Sequence, residues 1–129
     1  MCMDYYQTLK KFIKKDKADR LIFELISKSK RNRAFAKLTQ FDSFMRKETI
    51  KYDFTRKTDE EIIAFLKNEI RVEKCFDVYK EDVRNLTDAV LDSINSYMCN
   101  VCVLDENRII YIGEVEYGPS PKYLMEIKP

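Results

Sequence analysis

The sequence predicts an α+β fold: a helical N-terminal half packed on a C-terminal three-stranded antiparallel meander, with a fourth strand as an alternative near residues 74–79. Three observations point there. Apolar residues recur at helical spacing from Tyr5 to Phe41 and again from Ile62 to Ile94. After Tyr97 the pattern changes to β-branched and aromatic runs, Met98 to Leu104 and Arg108 to Tyr117. Turn-forming residues separate those runs, Asp105-Glu106-Asn107 first and Gly118-Pro119-Ser120-Pro121 second.

Taken in order, Asp4 caps a first helix with Tyr5, Tyr6, Leu9, Phe12 and Ile13 on its apolar face and Lys10, Lys11, Lys14 and Lys15 elsewhere. A second helix starts near Asp19 and carries Leu21, Ile22, Leu25 and Ile26. Continuing that stripe would place Ser29 and Arg33 in the core, so a break is expected between Ser27 and Asn32 before a new register of Ala34, Phe35, Leu38 and Phe41 takes over. A short helix around Phe44 and Met45 and an extended stretch at Ile50, Tyr52 and Phe54 follow. Thr58 and Glu61 form a capping box, with Asp59 and Glu60 favourable at the positive helix end, and this helix should run to about Ile70. Cys75, Phe76, Val78 and Tyr79 suit a strand, and Val83, Leu86, Val90, Leu91 and Ile94 suit a helix whose other face holds Asp82, Asp88 and Asp92. Tyr123 to Lys128 makes the last strand. The sheet needs helices on at least one face to bury Val101, Val103, Ile110, Ile112 and Met125.

The composition bounds the chemistry. With 129 residues, 45% apolar and 36% charged, residues 1–129 read as a single domain with a core and a densely charged surface, unlike a disordered tail or a membrane span. Nothing at the N-terminus resembles a signal peptide, so a cytoplasmic location is expected. There is no histidine, which removes the commonest general base and metal ligand, and two glycines leave no room for a phosphate-cradling loop. No cofactor is implied. Residues 1–57 carry 16 Lys+Arg against 7 Asp+Glu, whereas residues 58–129 carry 8 against 15, so a net charge of +2 conceals a basic helical half and an acidic helix-plus-sheet half. Such a division points to a polyanionic partner or to self-association through complementary charge.

Two segments, Lys28 to Phe41 at the front and Asn100 to Val103, Arg108 to Glu114 and Lys122 to Leu124 at the end, resemble a family of small bacterial proteins of uncharacterised function. Its members carry a histidine near the position of Gln40 and a glycine-rich turn where this chain has Ser96-Tyr97-Met98-Cys99. The resemblance implies a C-terminal hairpin and no particular activity.

The candidate binding residues lie in the basic half. Lys30, Arg33 and Lys37 fall on one helical stripe with Arg31 at its end, and Arg46, Lys47, Tyr52 and Arg56 alternate with aromatic residues Phe41, Phe44 and Phe54, a composition that can neutralise phosphates and stack bases. Cys2, Cys75, Cys99 and Cys102 offer a four-thiolate zinc site in principle, but on a strand Cys99 and Cys102 would point to opposite faces. Glu114 and Glu116 would share a strand face beside Tyr111 and Tyr117, either as an acid–base pair or as solvated charges on an edge strand. No catalytic set is identified. The expected function is a small non-catalytic interaction or regulatory protein that binds another protein, or itself, through its charged faces or the hairpin edge. The alternative is a nucleic-acid-binding protein that uses the basic half.

Overall fold

The computed structural model describes residues 4–96, 99–114 and 119–128. Its helices are α1 (Tyr5–Lys10), α2 (Lys15–Ile26), α3 (Arg31–Leu38), α4 (Phe41–Phe44), α5 (Asp59–Phe65) and α6 (Leu86–Ile94). The strands are β1 (Ile50–Asp53), β2 (Lys74–Asp77), β3 (Asp82–Asn85), β4 (Asn100–Asp105), β5 (Arg108–Ile112) and β6 (Lys122–Glu126). They form one antiparallel six-stranded sheet in the order β1-β6-β5-β4-β2-β3.

The α+β class holds, and the sheet is larger than the meander of three or four strands expected from sequence. The extended stretch around Ile50 becomes β1, which pairs with β6 in the register Lys51 to Met125 and Tyr52 to Leu124. Val83, expected on a helix face, lies instead on β3 and is 41% exposed. The reason is local. Glu81 adopts a left-handed backbone with φ 58°, which folds β3 back on β2, and Asn85 then caps α6 by accepting a hydrogen bond from the Asp88 amide. β4 and β5 are interior to the sheet. The expected docking edge on their hairpin is therefore taken by β2 and β6, and the open edges are the short, charged β1 and β3.

Helices cover both sheet faces, because β4, β5 and β6 send apolar residues to each. On one face Val101, Val103, Ile109, Tyr111 and Met125 pack with Leu9, Phe12, Leu21, Leu25, Phe35 and Leu38 from α1 to α3 and the turn after α1. On the other, Cys102, Leu104, Ile110, Ile112 and Leu124 pack with Phe54, Ile62, Leu66, Leu86 and Val90. Burying each of the larger side chains contributes roughly 1.5–3 kcal/mol. The basic helices thus cover one face and the acidic α5 and α6 the other. The Thr58–Glu61 capping box is present in both directions, Glu61 N to Thr58 Oγ1 at 3.2 Å and Thr58 N to Glu61 Oε1 at 3.0 Å. After Phe65 the helix widens into a π-turn, Leu66–Ile70, and stops where Arg71 turns left-handed at φ 62°.

α2 ends at Ile26 and α3 begins at Arg31, inside the expected break. Across that break the buried Glu24 accepts a 2.6 Å hydrogen bond from Lys37. That bond, more than any other interaction, holds the Glu24 carboxyl below its ordinary 4.5. A depressed carboxyl contributes stability that is present above the unfolded value and lost as pH falls through the folded one. Exchanging Lys37 for Met is therefore expected to destabilise the protein most near neutrality. The gap in urea midpoint from wild type should close as pH falls from about 7 to about 3. A gap independent of pH would contradict it.

Candidate functional site

A cluster of cations lies where the end of α1 meets the segment after α4. Phe12, Ile13 and Met45 are buried, so the neighbouring residues of both segments turn outward. The segments run side by side: Lys14 N donates to Phe44 O at 2.8 Å, Arg46 N donates to Phe12 O at 2.8 Å, and Ile13 and Met45 form an isolated antiparallel bridge. Arg46 Nε adds a bond of 2.9 Å to Ile13 O. This small two-stranded clasp presents two adjoining grooves. One, of about 430 Å³, is lined by Lys14, Lys15, Asp16, Arg46, Lys47 and Glu48. The other, of about 640 Å³, is lined by Gln7, Lys10, Lys11, Lys15, Ala18, Asp19 and Arg46. They share Lys15 and Arg46. Asp19 is ion-paired to Lys10, which leaves the surface net positive.

The residues expected from sequence divide between this site and structural work. Arg46 and Lys47 line the groove. Arg31 does not: it bonds to the backbone carbonyls of Leu25, Val78 and Tyr79, sits 3.8 Å from Glu81 and lies over the Phe35 ring, pinning the α2–α3 break to the β2–β3 turn. Lys37 is held by Glu24, and Lys30 lies over the ring of Phe23. Arg33 on α3, Tyr52 on β1 and Arg56 in the turn after β1 are exposed and line neither groove. Of the aromatics expected to interleave with cations, Phe54 joins the core on the far face and Phe41 packs against Tyr111 and Tyr123, while Lys17, Lys51 and Lys57 lie over the rings of Phe44, Phe41 and Phe54. Lys10, Lys11, Lys14 and Lys15 were the missed members. Their signal was a pair of lysine doublets flanking the buried Phe12-Ile13.

A second polar cluster is internal. Asp77, 1% exposed, accepts from Lys80 N, from Asn100 Nδ2 at 2.9 Å and from Arg84 Nη1 at 3.0 Å. Arg84 continues to Asp92 at 2.6 Å, Asn100 Nδ2 reaches Ser93 Oγ at 2.9 Å, and Ser93 Oγ donates to Ala89 O. These bonds tie β2, β3, β4 and α6 together and satisfy the buried acid from within.

Cys75, Cys99 and Cys102 are free and buried, and Cys2 lies outside the described residues. Cys99 belongs to one core and Cys102 to the other, so the strand alternation separates them. Burial pushes the Cys99 thiol up to about 12. Among the described residues no group of Cys, Asp and Glu is placed to hold a metal ion. Glu114 lies beyond the end of β5, which is an interior strand rather than an edge, and Glu116 lies outside the described residues. Among the described residues no helix is long and apolar enough to cross a membrane. No family model, curated protein or solved structure matches the chain.

Proposed function

We propose that this is a non-catalytic interaction protein and that its basic clasp engages the phosphate backbone of a nucleic acid. The observation that carries this reading is the convergence of Lys10, Lys11, Lys14, Lys15, Arg46 and Lys47 on two adjoining grooves. The supporting segments are fixed to each other by backbone hydrogen bonds, so Lys14, Lys15 and Lys47 project from a fixed base, while Arg46 donates to Ile13 O, Lys10 pairs with Asp19 and Lys11 donates to Glu106 O. Among the described residues no exposed aromatic or large apolar side chain lines the grooves. Protein interfaces are usually anchored by such groups, whereas phosphate contacts need only cations. The same lack argues for backbone contact over base stacking, and hence for binding without sequence preference.

Fluorescence anisotropy with labelled duplex and single-stranded DNA and RNA tests it. With about four phosphate contacts, affinity should fall on the order of 100-fold between about 50 and about 200 mM salt, with little dependence on sequence. Absence of binding at the lower salt would reject the proposal.

A protein partner is the second reading, and a different surface favours it. Phe23 and Ile26, a turn apart near the C-terminal end of α2, are 60% and 53% exposed. A partner that buried them would gain apolar contact there while leaving the clasp free.

A further inference from the structure

We infer that the cleft between α4, the end of β5 and β6 binds a primary alkylammonium group. This cleft, of about 550 Å³, lies apart from the basic clasp and differs from it in chemistry. Its walls include the rings of Phe41, Tyr111 and Tyr123. Phe41 meets Tyr111 edge-on with ring centres 4.9 Å apart, and its centre is also 4.9 Å from that of Tyr123. The two tyrosines stack at 6.1 Å. The Tyr111 hydroxyl is committed to Leu38 O at 2.7 Å and its ring is buried, so it backs the wall, and the half-buried rings of Phe41 and Tyr123 supply the accessible π surface. Backbone support is close: Gly113 N donates to Pro121 O at 2.7 Å, and a Cβ at Gly113 would come within 2.9 Å of Pro121 Cγ.

Two carboxylates, Asp42 and Glu114, complete the lining. Among the described residues neither forms a salt bridge. Burial is the main reason that both tyrosine hydroxyls are hard to ionise, and the negative charge of Asp42 adds to the effect at each ring. An aromatic wall with anionic neighbours attracts cations and repels anions. Two of these rings already hold a cation from outside the cleft lining. Lys51, reaching from β1, holds its ammonium 4.5 Å from the centre of the Tyr123 ring and 5.3 Å from that of Phe41. A primary ammonium fits better than a quaternary one, because its N–H groups can donate to the carboxylates while its alkyl chain lies along the rings. The same group could arrive as a free amine or as a lysine side chain of a peptide.

NMR titration of the full chain with butylammonium, with butanol and with N-acetyl-lysine amide tests the inference. Both ammonium compounds should move the ring resonances of Phe41, Tyr111 and Tyr123 saturably, and butanol should not. Tighter binding of the lysine amide than of butylammonium would identify a peptide side chain as the source, and the reverse order a free amine. Exchanging Asp42 for Asn together with Glu114 for Gln should weaken butylammonium binding by about 5-fold or more. Lys51 does not line the cleft, but exchanging it for Ala removes a positive charge from the rings of Phe41 and Tyr123 and should tighten that binding by about 2- to 5-fold. Equal responses to butanol and butylammonium, or an affinity unchanged by removing both carboxylates in a variant whose spectrum is otherwise native, would overturn the inference.

Discussion

Replacing Asp77 by alanine is expected to cost about 3–5 kcal/mol of stability, the usual penalty for leaving one member of a buried ion pair without its partner. For a chain of this length that corresponds to a fall in Tm of about 10–20 °C, measurable by calorimetry. The size follows from what the carboxylate does. It is 1% exposed, it accepts from Arg84 and Asn100 side chains and from the Lys80 amide, and it sits where β2, β3 and β4 meet. Without it the Arg84 guanidinium keeps only Asp92, and the β2–β3 turn loses its side-chain cap. Asp92, 59% exposed, makes the complementary case: exchanging it for Asn should cost within about 1 kcal/mol, because solvent screens that half of the bridge. A double variant, Asp77→Leu with Arg84→Met, should recover part of the loss by removing the stranded cation as well. If Asp77→Ala melted within a degree or two of wild type, the cluster would not be what ties β2, β3 and β4 together.

The largest functional effect is expected from reversing the charge of the clasp. Exchanging Lys14, Lys15 and Lys47 for Glu together should reduce nucleic-acid affinity by more than about 100-fold at moderate salt and flatten the salt dependence by about three units of slope. Lys15 and Lys47 are exposed and Lys14 is half-buried, none is engaged by an internal carboxylate among the described residues, and the backbone bonds of the clasp do not involve their side chains. The variant should therefore fold, as a thermal melt would confirm. The control is Arg33→Glu with Arg56→Glu, which changes net charge on surfaces outside the grooves and should alter binding by no more than a few-fold. Equal losses in both variants would assign the effect to net charge and remove the clasp as a site.

Where local chemistry decides structure, the residues are readable in order. The Thr58–Glu61 box starts α5, the stripe of Leu21, Ile22 and Leu25 defines α2, and the conflict at Ser29 and Arg33 marks its end. β4 and β5 were visible as apolar runs around Asp105-Glu106-Asn107, because strands buried on both faces need apolar residues at nearly every position. The short edge strands were harder. β1 and β3 each span four residues, mix charged with apolar positions and expose most of them, so their pattern alone does not separate a strand from a loop or a helix start. Their pairing with β6 and β2 identifies them.

The candidate sites follow the same division. The sequence by itself determined the α+β class, the main helices, the central hairpin and the excess of cations before residue 58, since these depend on composition, periodicity and contacts close along the chain. Only the tertiary structure decided which cations act together. Arg31 and Lys37 are drawn into internal bonds, whereas Lys14 and Lys15 come beside Arg46 and Lys47 because burial of Phe12, Ile13 and Met45 forces two distant segments to pair. A lysine's spacing from its neighbours is written in the sequence. Whether its charge is paired with a carboxylate or left to a partner depends on residues about 13 or about 32 positions away, and packing brings those together.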